Sequence, residues 1–203
     1  TGSPVSIAPW ANYLNTLGYT VSAPCLPGHG SSWQQMNKTT WQDWYKAAEQ
    51  ELLELQKKCD RVFIAGFSMG GALALRLCQI RSSEVEGLLL LNPSIHDRRL
   101  FLKLTPLLKY FISSVKKGPT DIAAPNPIKH AYHRTPLKAL DSLRKLWQIV
   151  ERDLYLIDLP IMVAYSINDH AVDPENSMTV IDNIFSVDIR EVIFENSYHN
   201  VAL

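Results

Sequence analysis

The chain has 203 residues, 46% of them hydrophobic and 20% charged, with 20 Lys plus Arg against 20 Asp plus Glu. Such a composition suits one globular domain with a buried core, and the balanced charge offers nothing to attract a phosphate backbone, which excludes nucleic-acid binding. Cys25, Cys59 and Cys78 are odd in number, form no CxxC and sit in or beside apolar segments, so they read as reduced core thiols in a cytoplasmic setting. No apolar run approaches the roughly 18 residues of a membrane span, and Thr1-Gly2-Ser3-Pro4 carries no secretory signal.

Ser3-Pro4, followed by Val5, Ile7, Trp10, Tyr13, Leu14 and Leu17, predicts a helix capped by Ser3 and stopped by Gly18. Tyr19 to Ala23 reads as a short strand, and Pro24 to Ser32, containing Pro27-Gly28-His29-Gly30, as a loop. A second helix is predicted over Thr40 to Lys58. Val62 to Ala65 is a short apolar run suited to a strand buried on both faces of a parallel sheet. A helix over Met69 to Arg81 follows without a spacer, then a strand over Gly87 to Leu91 that ends at Asn92-Pro93.

This βαβ rhythm stops between about His96 and Glu151, where helical patches over Leu100 to Val115 and Leu137 to Val150 suggest an inserted cap. It resumes with a strand over Ile161 to Tyr165, a helix over Pro174 to Phe185 and a strand over Ile189 to Phe194. The expected organisation is one domain over 1–203 with the cap at about 96–151.

Gly66-x-Ser68-x-Gly70 falls between a predicted buried strand and a predicted helix, the context in which a serine is pushed out of the sheet as a nucleophile. Gly66, Gly70 and Gly71 would give the backbone room for so tight a turn. The helix that begins after Ser68 directs unpaired N–H groups at the place where an oxyanion would form, with Met69 N–H as first donor. The bland alternative is a serine that only caps the helix.

A serine hydroxyl needs a base, and the base an acid that fixes its tautomer. Asp169 follows the strand over Ile161 to Tyr165, and His199 follows the strand over Ile189 to Phe194. Asp173, beside Pro174, fits a helix cap better, and His170 a rim position. His29, His96, His130 and His133 follow no sheet strand, and His130-x-x-His133 lacks the further ligands of a zinc shell. No cofactor and no metal are expected.

Gly66-Phe67-Ser68-Met69-Gly70-Gly71, Ser166-x-x-Asp169-His170-x-Val172-Asp173-Pro174 and Asn196-Ser197-x-His199 together resemble the bacterial carboxylesterase and monoacylglycerol lipase group of the α/β-hydrolases. Pro27-Gly28-His29-Gly30 and Thr135-Pro136-Leu137 resemble a loop and the cap of that group. The resemblance implies an α/β-hydrolase fold, a mostly parallel sheet with helices on both faces and a small helical cap. It also implies a Ser68, His199, Asp169 triad and esters of short or medium acids, or monoacylglycerols, as substrates. Leu104, Leu107, Leu108 and Phe111 would line the roof if they face inward.

In that group an apolar strand ending in His-Gly-aromatic precedes the position of Thr1 and supplies the second oxyanion donor, and a final helix follows the catalytic histidine. The expectation is therefore a fragment whose missing strand would lie between Tyr19 to Ala23 and Val62 to Ala65. The same triad suits thioester or acyl-transfer chemistry, and a relative that binds ligand without turnover is the alternative of another class.

Overall fold

The structure, a computed structural model, describes residues 2–118, 121 and 131–200. A 3₁₀ turn at Pro4–Ile7 leads into α1 (Ala8–Thr16), so the first predicted helix is broken in two. Pro9 is the reason, since it has no N–H to continue the ladder across the join. Ser3 makes no capping bond, whereas Gly18 stops the helix as expected. With φ at 87°, Gly18 lets its own N–H reach Asn15 O at 3.0 Å and Tyr19 N–H reach Leu14 O at 3.2 Å.

A single turn, α2 (Trp33–Met36), precedes α3 (Trp41–Gln56), whose start is a reciprocal capping box between Thr40 and Asp43. Then come β1 (Phe63–Phe67), α4 (Met69–Arg81), β2 (Gly87–Leu91), α5 (Leu100–Leu108), β3 (Ser114–Lys116), β4 (Arg134–Pro136), α6 (Leu137–Arg152), β5 (Ile161–Ser166), α7 (Glu175–Asn183) and β6 (Ile189–Phe194). Four strands form a parallel sheet in the order β1-β2-β5-β6. β3 and β4 pair antiparallel as a separate ribbon, too short to be visible as a pattern in the sequence.

Two strand expectations are corrected. Tyr19 to Ala23 forms no strand, because no described segment lies alongside it to complete a ladder. β1 is not buried on both faces: it is the edge of the described sheet, and Phe63 is 57% exposed. Only Cys78 is a core thiol; Cys59 is half-buried and Cys25 exposed, and all three are free.

α4 is the centre of the packing. It is apolar on nearly every side, with Ala72, Leu73, Ala74, Leu75, Leu77 and Cys78 buried, as a helix must be when it has neighbours all round. It lies on β1 and β2 and carries α3 and α6, while α7 packs on β5. Trp44, Leu75, Leu90, Leu146, Val150 and Val163 are fully buried in the shared core. Because the sheet strands run parallel, their C-terminal ends, where Ser68, Asn92, Asp169 and the loop after β6 emerge, all lie at one edge.

Candidate active site

Between the end of β1 at Phe67 and the start of α4 at Met69, Ser68 alone makes the turn, with φ 53° and ψ −121°. A side chain is strained at that positive φ, and the surroundings hold it there. Ser68 N–H donates to Leu91 O at 3.0 Å, and Ser68 O accepts from Gly71 N–H at 2.9 Å and Ser94 N–H at 3.0 Å. A Cβ at Gly66 would stand 2.5 Å from the Gly70 oxygen, and one at Gly71 would stand 2.8 Å from Pro93 Cβ. Gly70 does not share this duty: a Cβ there would meet nothing within 4 Å.

The Ser68 side chain makes no capping bond to α4, so the capping alternative does not hold. Instead Ser68 Oγ lies 2.9 Å from His199 Nε2, and His199 Nδ1 lies 2.6 Å from Asp169 Oδ2. Nδ1 carries the proton in this arrangement, because its partner is a carboxylate, which leaves Nε2 free to accept from the serine. The other Asp169 oxygen accepts the N–H groups of Ala171 and Val172, both at 2.8 Å, and the side chain is 1% exposed. Met69 opens α4, so its N–H has no acceptor within the helix, and the residue lines the cavity above Ser68.

The other candidates go elsewhere. Asp173 Oδ1 accepts Glu175 N–H at 2.9 Å and organises the start of α7. His170 is a rim residue, 67% exposed, with Nδ1 3.0 Å from Asp121. His29 is buried against the edge of Trp44, and burial pushes its pKa down to about 4. His96 lies beyond β2, near Glu151, and the His133 carbonyl accepts Lys117 N–H beside the β3–β4 ribbon. His130 lies outside the described residues. Among the described residues no three His, Cys, Asp or Glu side chains gather as a metal site.

Asn92 and Asp121 were not legible in the sequence as site residues. Asn92, buried at the end of β2 with φ 40°, receives Ser166 N–H on Oδ1 at 2.8 Å and donates from Nδ2 to His199 O at 2.5 Å. Its one visible signal was its position, a polar residue that tolerates left-handed backbone directly after a buried strand. Asp121, between β3 and β4, accepts the N–H groups of His170 at 2.8 Å and His199 at 3.2 Å. Nothing local marks it.

A cavity of about 830 Å³ opens over Ser68 and runs along the outer edge of β1 to α3. Its apolar roof does not come from α5. Leu104, Leu107 and Phe111 are exposed, because α5 buries Leu102 and Thr105 and turns its other side out, and Leu108 is not part of the lining. Ala139, Leu140 and Leu143 of α6, with Trp147 and Tyr132, line the cavity instead.

A parallel sheet whose strand-to-helix turn presents a strained serine, with histidine and carboxylate on later loops, defines an α/β-hydrolase. The chain belongs to the Hydrolase_4 family, described as serine aminopeptidase, S33, whose model matches residues 5–203. It is 31% identical over 205 residues to the thermostable monoacylglycerol lipase of Bacillus sp. (strain H-257), covering 100% of this chain and 80% of that protein. It is 24% identical over 207 residues to a carboxylesterase of Bacillus subtilis (strain 168), covering 100% of this chain and 82% of that one. A solved structure from work on LipS and LipT, two metagenome-derived lipolytic enzymes, superposes with a TM-score of 0.96 at 29% identity, over 100% of this chain and 83% of that one. The protein is thus a hydrolase among relatives named as lipases and esterases.

Proposed function

We propose that this enzyme cleaves carboxylic esters, either monoacylglycerols or esters of short and medium acids, by acyl transfer to Ser68. His199 Nε2 takes the hydroxyl proton as Ser68 Oγ attacks the carbonyl carbon, and Asp169 stabilises the imidazolium that results. Met69 N–H stabilises the oxyanion at the head of α4. The tetrahedral intermediate collapses, the alcohol leaves with the proton from His199, and water activated by the same nitrogen then releases the acid and restores Ser68.

The observation that carries this reading is the 2.9 Å approach of His199 Nε2 to Ser68 Oγ. The lipase and esterase relatives favour an ester over an amide. Apolar Leu140, Leu143 and Trp147 suit an acyl chain, and residues 96–151 act as the cap that carries them. The free thiols Cys25, Cys59 and Cys78 suit work in a reducing, cytoplasmic setting.

The test is hydrolysis of p-nitrophenyl acetate, butyrate and octanoate by the protein and by Ser68→Ala. The expected loss is at least about a thousandfold in kcat/KM. Equal rates for the two proteins would refute the proposal and leave a ligand-binding relative.

A further inference from the structure

The main chain of His199 is held from two sides. Asn92 takes its carbonyl, at 2.5 Å, and Asp121 takes its N–H, at 3.2 Å. The two anchors come from different places: Asn92 from the end of β2, and Asp121 from the segment between β3 and β4. Asp121 also reaches the loop that carries the acid, since the same oxygen, Oδ2, accepts His170 N–H at 2.8 Å while Oδ1 meets His170 Nδ1 at 3.0 Å. The Tyr198 ring meets the His170 ring edge to face at 5.1 Å.

One carboxylate oxygen therefore joins the residue after Asp169 to the backbone of His199. The two loops are also joined by the 2.6 Å bond between the side chains, by Asn168 Nδ2 donating to Glu195 O at 2.6 Å, by Ser166 Oγ donating to Ser197 O and by the Tyr198–His170 ring contact, but among the described residues Asp121 is the group that holds the His170 and His199 amides on one atom. The Asp121 side chain is only 14% exposed, so water cannot readily replace the carboxylate on both amides. Burial works to raise its pKa, but the hydrogen bonds from His170 and His199 outweigh it and hold the carboxyl below the usual range.

We propose that Asp121 is a positioning residue for the reaction: it fixes the spacing between the acid loop and the base loop, and so the aim of His199 Nε2 at Ser68. This rests on the acyl-transfer reading above. A displacement of about 1 Å in a reacting group is worth roughly a hundredfold in rate, so the bond need not touch substrate to matter.

Two substitutions separate positioning from the alternatives. Asp121→Ala removes every acceptor. Asp121→Asn keeps one oxygen where both main-chain N–H groups point and offers an amide N–H to His170 Nδ1, so all three contacts survive without the charge. With p-nitrophenyl butyrate, Asp121→Ala is expected to lose about 10- to 100-fold in kcat with KM within about twofold, and Asp121→Asn to stay within about threefold of the parent.

Proton NMR gives a readout that does not depend on turnover. The far-downfield resonance of the His199 Nδ1 proton should be present in the parent and in Asp121→Asn, and be lost or broadened in Asp121→Ala at a temperature well below its measured midpoint of unfolding.

Parent-like kcat and resonance in Asp121→Ala would overturn the proposal. So would equal losses in both variants, or a change confined to KM, which would make Asp121 a substrate contact in the cavity it lines. An inactive parent that still shows the resonance pattern would count against the acyl-transfer reading and leave the geometric role of Asp121 standing. An inactive parent whose resonance ignores Asp121 would sink both.

Discussion

Asn92 bonds Ser166 N–H with its oxygen and His199 O with its nitrogen, so one carboxamide ties the end of β5 to the loop that carries His199. Its donor and acceptor ends are not interchangeable. Asn92→Asp would turn an oxygen toward the carbonyls of Tyr198 and His199, both of which now accept from Nδ2. Leaving buried acceptors without donors costs about 1–3 kcal/mol, so thermal unfolding should fall by roughly 5 °C and kcat by about tenfold. An unchanged melting curve and unchanged kcat in Asn92→Asp would show that the tie has no consequence.

The roles of the two carboxylates near α7 can be read from their partners. Asp169 meets His199 Nδ1, whereas Asp173 meets the N–H of Glu175. Asp169→Asn replaces an acceptor by a group that can donate, which favours the wrong imidazole tautomer, and kcat should drop by about 10³- to 10⁴-fold. Asp173→Asn keeps an oxygen for Glu175 N–H and should stay within about twofold. Steady-state rates of the pair decide it, and a reversed ranking would move the acid to Asp173.

What the sequence made legible follows from how local each signal is. β2 and β5 are short, largely buried apolar runs, and β6 is an exposed strand at the edge of the described sheet, marked by the β-branched Ile189, Val192 and Ile193, so the loops bearing Asp169 and His199 could be placed from the pattern alone. Tyr19 to Ala23 likewise carries β-branched and aromatic residues, but a strand exists only where a second segment supplies the ladder, and periodicity does not carry that. The helical patch read over Leu100 to Val115 is realised by α5 only over Leu100–Leu108, and the end of the patch passes into β3. That Leu102 and Thr105 face inward, rather than Leu104 and Leu107, depends on how α5 meets α6. Asn92 and Asp121 act over 107 and 78 positions to His199, beyond the reach of any motif.

The glycines of the turn after β1 should divide. A methyl at Gly66 would run into backbone, the Gly70 oxygen at 2.5 Å and Gly71 Cα at 2.7 Å, and cannot be relieved by turning a side chain. Gly66→Ala is expected to lose about 2 kcal/mol or more, a drop of roughly 5 °C in a melting scan. Gly70→Ala has open space around it and lies inside α4, where alanine is favoured by about 0.5–1 kcal/mol, so its midpoint should match or exceed the parent's. Equal destabilisation by both would contradict the space seen at Gly70.

His29 gives the fold a dependence on pH apart from that of the acids. Burial against Trp44 holds its pKa at about 4, below the ordinary 6.5, so between these values the unfolded chain binds a proton that the folded chain refuses. Stability is then fully present above pH 6.5 and declines as pH falls toward 4, by at most about 3 kcal/mol. Asp153, which hydrogen bonds from Arg152 hold below the usual carboxylate range, loses its contribution at more acid pH, so the two windows separate. Urea unfolding at pH 7.5, 6, 5 and 4.5 should show the decline in the parent. His29→Leu keeps an apolar side chain beside Trp44 and cannot titrate, so its curve should be flatter over the same span. Parallel curves for the two proteins would mean that His29 is protonated in the folded state at no cost, and that the decline has another source.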